Sequence, residues 1–93
     1  MKKEDILPLG SIVKIKGIES KIMIVGVNQL VDGTNYNYVG YIHPYGFVGI
    51  KKMLSFNAPL IEEVIFKGYK DEETEEFYED IEWLYNKKKE EGK

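Results

Sequence analysis

The stretch Val64–Tyr85, VIFKGYKDEETEEFYEDIEWLY, contains the change of pattern that decides the fold of this chain. Its first residues, VIFKG, are apolar and close with a glycine, which is typical of a β-strand. From Asp71 onward, acidic residues alternate with apolar ones at helical spacing. The chain therefore divides into a β-rich part over residues 7–69 and a C-terminal helix over residues 71–89.

The helix has a clear start and one apolar stripe. Asp71 is the candidate N-cap, and the acidic residues after it suit the positive end of a helix. Apolar side chains recur at i, i+4, i+7 and i+8, and we expect them to cover the apolar face of a sheet, with Tyr78 at the margin. Trp83 points about 120° away from the first of them, because successive residues rotate by about 100°. The stripe residues are Phe77, Ile81, Leu84 and Tyr85.

Before this boundary, the chain has the pattern of successive strands separated by turns. SIVKIK at residues 11–16 places Lys14 and Lys16 on one face, whereas KIMIVGV at residues 21–27 is apolar on both faces. The second pattern indicates either a central strand that is covered on both sides or a strand that curls inside a small barrel. Asp32-Gly33 predicts a hairpin turn, after which YNYVGYIH returns at residues 36–43 as the next strand.

The later segments are shorter. Residues 44–49, PYGFVG, predict a turn-rich loop, and residues 51–56 are compatible with a short edge strand. Residues 57–60 predict one helical turn with Asn57 as its N-cap, and residues 64–68 predict the last strand.

These elements predict an α+β fold in one domain spanning residues 1–93. Four to five strands form a curved antiparallel sheet, in the manner of an SH3-like partial barrel, and the C-terminal helix packs on it. Gly26 and Gly40 interrupt two strands and predict bends in the sheet.

Composition restricts the classes of function. The chain has no Cys, which excludes disulfides and thiolate chemistry, and all thirteen of its basic residues are Lys. Residues 1–60 carry a balance of +3 and residues 61–93 a balance of −6. The absence of Arg and the pI near 5.2 argue against nucleic acid as the main partner. No signal peptide or membrane span is apparent, so we expect a cytoplasmic protein.

No group of residues indicates catalysis, metal binding or a cofactor. His43 is the single His, and the adjacent Glu62 and Glu63 point in different directions on a strand or a helix. The eight carboxylates of residues 71–82 lack the turn glycine and ligand spacing of a Ca²⁺ loop. We interpret them as a solvated helix face, with an acidic docking face for a basic partner as the alternative.

Three aromatic residues are candidate partner contacts. Trp83 lies off the helix stripe, so it either packs against a loop of its own domain or anchors a contact with another protein. Tyr45 and Phe47 in the turn-rich loop have the same two interpretations, either core or contact.

Four groups of residues, taken in order, resemble a known family. They are LPLGSIV (7–13) with Lys16-Gly17, KIMIVG (21–26) with Gln29-Leu30, YVGY (38–41) with Pro44-Tyr45-Gly46, and Phe56-Asn57 followed by EVIFKGY (63–69) and the acidic helix. The family consists of small uncharacterised-domain proteins of low-GC Gram-positive bacteria. They are encoded beside type VII (ESX-like) secretion components and LXG polymorphic toxins. The similarity covers about residues 7–85, and Tyr45 stands where a polar residue or Glu would be expected.

The resemblance implies a non-enzymatic adaptor that binds an LXG toxin, or its small helical export partners, and aids its targeting to the secretion machine. It implies no catalytic residues. An immunity protein that binds the toxic domain is the second hypothesis, since the acidic helix would suit a basic nuclease. A small SH3-like nucleic-acid-binding module is the third, and the missing Arg disfavours it.

Overall fold

The computed structural model describes residues 1–91, which form a five-stranded antiparallel sheet and one long helix. The strand order is β4-β3-β2-β1-β5, so the sheet is open and β4 and β5 are its two edges. The predicted α+β fold with a curved sheet and a C-terminal helix is confirmed, and the sheet does not close into a barrel. The elements are β1 (Ile12–Ile15), β2 (Ile22–Val31), β3 (Thr34–Ile42), β4 (Leu54–Phe56), β5 (Ile61–Phe66) and α1 (Glu72–Glu91).

β2 and β3 are the longest strands of the sheet, and a tight turn at Asp32-Gly33 joins them. Asp32 and Gly33 have φ angles of 48° and 79°, and positive φ at both central residues is typical of a type I′ turn. Val31 pairs directly with Thr34 across this turn. Both strands therefore reach the turn itself and are longer than the predicted segments 21–27 and 36–43.

Both strand glycines lie where a Cβ atom would crowd the neighbouring strand. Gly26 lies at a shift in the β2–β3 register, between Ile24 and Gly26, where a bend was predicted. At Gly40, a Cβ atom would lie 2.5 Å from the carbonyl oxygen of Met23. Gly40 thus permits a close approach between β3 and β2.

The core lies between one face of the sheet and α1, but the buried helix face differs from the predicted stripe. Phe77 and Leu84 are 49% and 43% exposed, whereas Tyr78 and Ile81 are almost fully buried and Tyr85 is partly buried against the core. The helix is rotated so that the hydroxyls of both tyrosines find partners. The Tyr78 hydroxyl donates to the Leu7 carbonyl at 2.8 Å, and the Tyr85 hydroxyl accepts from Asn37 Nδ2 at 2.9 Å. The core members are Ile6, Leu7, Val13, Ile15, Ile22, Ile24, Val27, Tyr38, Phe56, Tyr78 and Ile81.

The helix start agrees with the prediction for Asp71. Asp71 Oδ1 accepts hydrogen bonds from both the backbone N–H and the hydroxyl of Thr74, and Thr74 Oγ1 accepts from the Asp71 N–H. The Thr74 N–H is the main reason why the pKa of Asp71 is lowered, because it stabilises the carboxylate. The N-terminus of α1 is therefore capped from within its own first turn.

Asn57 occupies the predicted N-cap position, but its side chain does not do the capping. A 3₁₀ turn does follow at Ala58–Leu60, but the Asn57 side chain makes no capping hydrogen bond to it. Its Oδ1 instead accepts from the Asn37 N–H at 2.9 Å, while Asn37 Oδ1 accepts from the Ala58 N–H at 2.8 Å. The Ala58 N–H at the start of this turn is therefore capped by Asn37 of β3, whose backbone N–H donates to Asn57 just after the end of β4.

Candidate functional site

The candidate site is built on the loop between β3 and β4. Its backbone leaves β3 in a tight turn, in which the N–H groups of Tyr45 and Gly46 both donate to the Ile42 carbonyl, at 3.0 and 3.1 Å. The His43–Pro44 peptide bond is cis, and Gly46 and Gly49 have positive φ. Side chains of this loop lie beside the edge strand β4, since Tyr45 and Val48 line one groove with Leu54.

Four large apolar side chains of this loop are exposed. Phe47 lies edge-on to the buried Tyr41 of β3, with ring centroids 5.3 Å apart, yet it remains 73% exposed. Tyr45 is 72% exposed, and Val48 and Ile50 are also exposed. Of the two interpretations of Tyr45 and Phe47, the structure therefore excludes the core. Exposed apolar side chains grouped on one loop mark contact sites in many proteins.

The loop and the edge strand enclose a groove of about 480 Å³, which we call the edge groove. Its wall is mostly apolar, and Lys51, Lys52 and Ser20 complete the lining. The two lysines are exposed, and they belong to the 3₁₀ turn Ile50–Lys52 that leads into β4. The apolar lining residues are Ile42, Tyr45, Val48, Met53 and Leu54.

Trp83 lies on a different element from the two loop aromatics. It is 59% exposed on α1, and Lys87 Nζ lies 4.9 Å from its ring centroid, as in a cation–π contact. Trp83 is not among the residues that line the edge groove, and the ring that Phe47 contacts is that of Tyr41. The structure thus places Tyr45 and Phe47 on one loop, where Tyr45 lines the edge groove and Phe47 does not, and it places Trp83 on α1.

Two further concave surfaces lie near α1. One, of about 830 Å³, is lined by Met1, Lys2, Glu4, Asp5, Glu82 and Asn86 and is largely polar. The other, of about 350 Å³, is an apolar groove formed by Leu9, Tyr69, Phe77 and Tyr78 with Glu73 and Thr74. β5 lies at the far edge of the sheet, and its Val64, Ile65 and Phe66 are exposed.

The residues considered for chemistry are dispersed. His43 is exposed at the end of β3, while Glu62 and Glu63 are exposed on β5. In the part of the chain that the structure describes, no group of three or more His, Asp or Glu side chains is placed to hold a metal ion. Nor, over that same part, is any helix long and apolar enough to cross a membrane.

Comparison with known proteins places the chain in a family. A sequence model of the domain of unknown function DUF4176 matches residues 6–77. The chain belongs to the DUF4176 family. The matched region contains the whole edge groove and ends before Trp83. Searches of curated proteins and of solved structures gave no match.

Several residues of the edge groove were not predicted from the sequence. The sequence indicates Tyr45 and Phe47 as candidate contacts and residues 51–56 as an edge strand, but it does not join Val48, Lys51 and Leu54 with Tyr45 in one site. A signal was present, because Val48 and Ile50 are apolar residues in a segment punctuated by glycines, where no strand or helix could bury them. Only the folded chain shows that these side chains line one groove.

Proposed function

We propose that this chain is a non-enzymatic adaptor of type VII secretion. It binds an LXG toxin, or the small helical partners exported with it, in the cytoplasm and aids its targeting. The binding part of the proposal is supported by one observation, the exposed apolar side chains around the edge groove. The secretion part is supported by the family resemblance in the four groups of residues described above.

The edge groove has the features of a protein-binding surface. Tyr45 is a large side chain with few rotatable bonds, and such residues contribute much of the energy at protein interfaces when a partner buries them. Apolar neighbours such as Val48 and Leu54 add contact area that the free chain leaves partly in water. The adjacent edge strand β4 pairs only with β3, so its outer side is open to a partner.

The proposal predicts that the LXG region of a toxin encoded beside this gene binds the purified chain, and that the Tyr45→Ala/Val48→Ala variant loses this binding. We expect the affinity to fall at least about tenfold, since two groove contacts are removed. Isothermal titration calorimetry with the separate LXG region measures this directly. Trp83→Ala is the matched control, because it also removes an exposed aromatic side chain but lies on α1.

Two results would redirect the proposal. Loss of binding in Trp83→Ala with full retention in the groove variant would move the contact surface to α1. Binding of the C-terminal toxic domain in place of the LXG region would favour an immunity role. The exposed carboxylates of Glu72, Glu73 and Glu76 on α1 suit a basic nuclease.

A further inference from the structure

We propose that the edge groove selects an acidic segment of its partner, one that carries apolar anchor side chains between Asp or Glu residues. This inference rests on the binding role proposed above and adds the chemistry of what is bound. The apolar wall would receive the anchors, and the surrounding positive charge would select the acidic flanks. The partner segment is thereby defined by charge as well as by hydrophobicity.

The first argument is the local charge around the groove. Lys51 and Lys52 belong to its lining, and residues 33–61 contain no Asp or Glu. Lys21 is held beside the loop, because its carbonyl accepts a hydrogen bond from the His43 N–H at 2.8 Å. Glu19 is the acidic residue nearest in sequence to Ser20 of the lining, and it opposes these three lysines. The groove is thus a basic region of a chain whose net charge is −3.

The second argument is the position of the lysines relative to the apolar wall. Lys51 and Lys52 are exposed, and they directly precede Met53 and Leu54, which belong to that wall. A partner that inserts apolar side chains between Tyr45 and Leu54 therefore places its neighbouring residues close to both ammonium groups. Acidic residues at those positions gain favourable interactions, whereas Lys or Arg residues there are repelled.

The apolar groove beside Phe77 has no lysine among its lining residues, so it does not offer an acidic partner the same attraction. Its charged lining residue is Glu73, and it lies at the start of the acidic helix α1. The edge groove and the groove beside Phe77 therefore differ in the sign of the charge among their lining residues. A ligand chosen by hydrophobicity alone would not distinguish them, while an acidic ligand would favour the edge groove.

The experiment is a selection of random peptides displayed on phage against the immobilised full chain. Selected peptides are then synthesised with a fluorescent label and titrated by fluorescence anisotropy at low and high salt. We expect enrichment of peptides with net negative charge and at least two large apolar residues, and weaker binding as salt rises. The Val48→Asp variant, which places a carboxylate in the apolar wall, should abolish their binding.

The charge argument is tested by two double variants with the same change in net charge. Lys51→Glu/Lys52→Glu reverses the charge at the groove, and Lys16→Glu/Lys67→Glu reverses two exposed lysines outside its lining. We expect affinity for the selected acidic peptides to fall at least about tenfold in the first variant and to stay within about twofold in the second. Thermal unfolding of every variant confirms that the fold is kept.

Four results would overturn the inference. They are no enrichment, enrichment of neutral or basic peptides, equal effects of the two double variants, and self-association of the chain that Lys51→Glu/Lys52→Glu abolishes. The last result would identify a second copy, through its acidic α1, as the occupant. The experiments distinguish failure of this inference from failure of the adaptor role. If acidic peptides are selected but no LXG region binds, the inference about the groove holds and the secretion proposal fails.

Discussion

The backbone of Leu7 is held by two tyrosine hydroxyls that come from opposite sides of the core. Tyr38 of β3 accepts from the Leu7 N–H at 3.0 Å, and Tyr78 of α1 donates to the Leu7 carbonyl at 2.8 Å. Both tyrosines are about 1% exposed, so neither hydroxyl can exchange its partner for bulk water. Burial raises the pKa of both, and it raises the pKa of Tyr78 to about 12.

Tyr78→Phe should therefore change both the stability of the fold and its dependence on alkaline pH. At neutral pH it leaves the Leu7 carbonyl without this donor and should lower the free energy of unfolding by about 1–3 kcal/mol. The folded state holds the Tyr78 proton more tightly than the unfolded state does. Wild-type stability should thus be intact below pH 10 and fall by roughly 2–3 kcal/mol as pH rises towards about 12. Urea unfolding followed by circular dichroism across this range measures both effects.

The Tyr78→Phe variant should lose less stability over the same alkaline range, because one of the two buried tyrosines with a raised pKa is gone. Tyr45→Phe is the matched control, since its hydroxyl is on an exposed side chain and should leave both quantities unchanged. An alkaline loss in Tyr78→Phe as large as in the wild type would contradict the assignment of this titration to Tyr78.

At the scale of elements, α1 contacts the rest of the molecule through a narrow strip. Tyr78 and Ile81 enter the core, and Tyr85 packs at its margin. The first 3₁₀ turn, Lys3–Asp5, is tied to the same helix, because Lys3 Nζ lies 2.8 Å from Glu79 Oε1 and the Lys3 N–H donates to Glu82 Oε2. The helix is thus held by a few specific contacts and leaves its acidic face in solvent.

The observed buried face of α1 can be distinguished from the predicted stripe by comparing the stability of two variants, Ile81→Asp and Phe77→Asp. Ile81→Asp places a carboxylate in the core and should cost about 3 kcal/mol or more of stability. Phe77 is half-exposed, so Phe77→Asp should cost only about 1 kcal/mol. Chemical unfolding of both variants measures the difference. Equal costs would mean that Phe77 contributes to the core as much as Ile81 does.

At the scale of the whole molecule, the sheet and the helix depend on each other. A chain of 93 residues can bury only a small core, and α1 supplies two of the buried side chains, Tyr78 and Ile81. Without the helix, the core would lose Tyr78 and Ile81, and the Leu7 carbonyl would lose its hydrogen-bond donor. The β-rich part is therefore not expected to be an independent folding unit.

Truncation after Lys70 should abolish cooperative unfolding, because it removes the helix that covers the core. Near-ultraviolet circular dichroism and a thermal scan of the fragment 1–70 measure the loss of fixed tertiary packing. Addition of a synthetic peptide of residues 71–91 should restore part of the signal, and the same peptide with Ile81→Asp should not. A sharp thermal transition of the fragment alone would show that the sheet folds without α1.

The sequence by itself determined the class of fold, the hairpin turn and the start of the helix. These features depend on local chemistry, as at Asp32-Gly33, where positive φ is needed, and at Asp71, where a carboxylate caps the first turn. The rotation of α1 and the edge groove were decided only by tertiary structure. Tyr78 is buried in preference to Phe77 because its hydroxyl reaches a carbonyl 71 residues away in the chain. The groove exists because the loop after β3 lies beside β4. A local sequence pattern does not predict which distant side chains will lie on one surface.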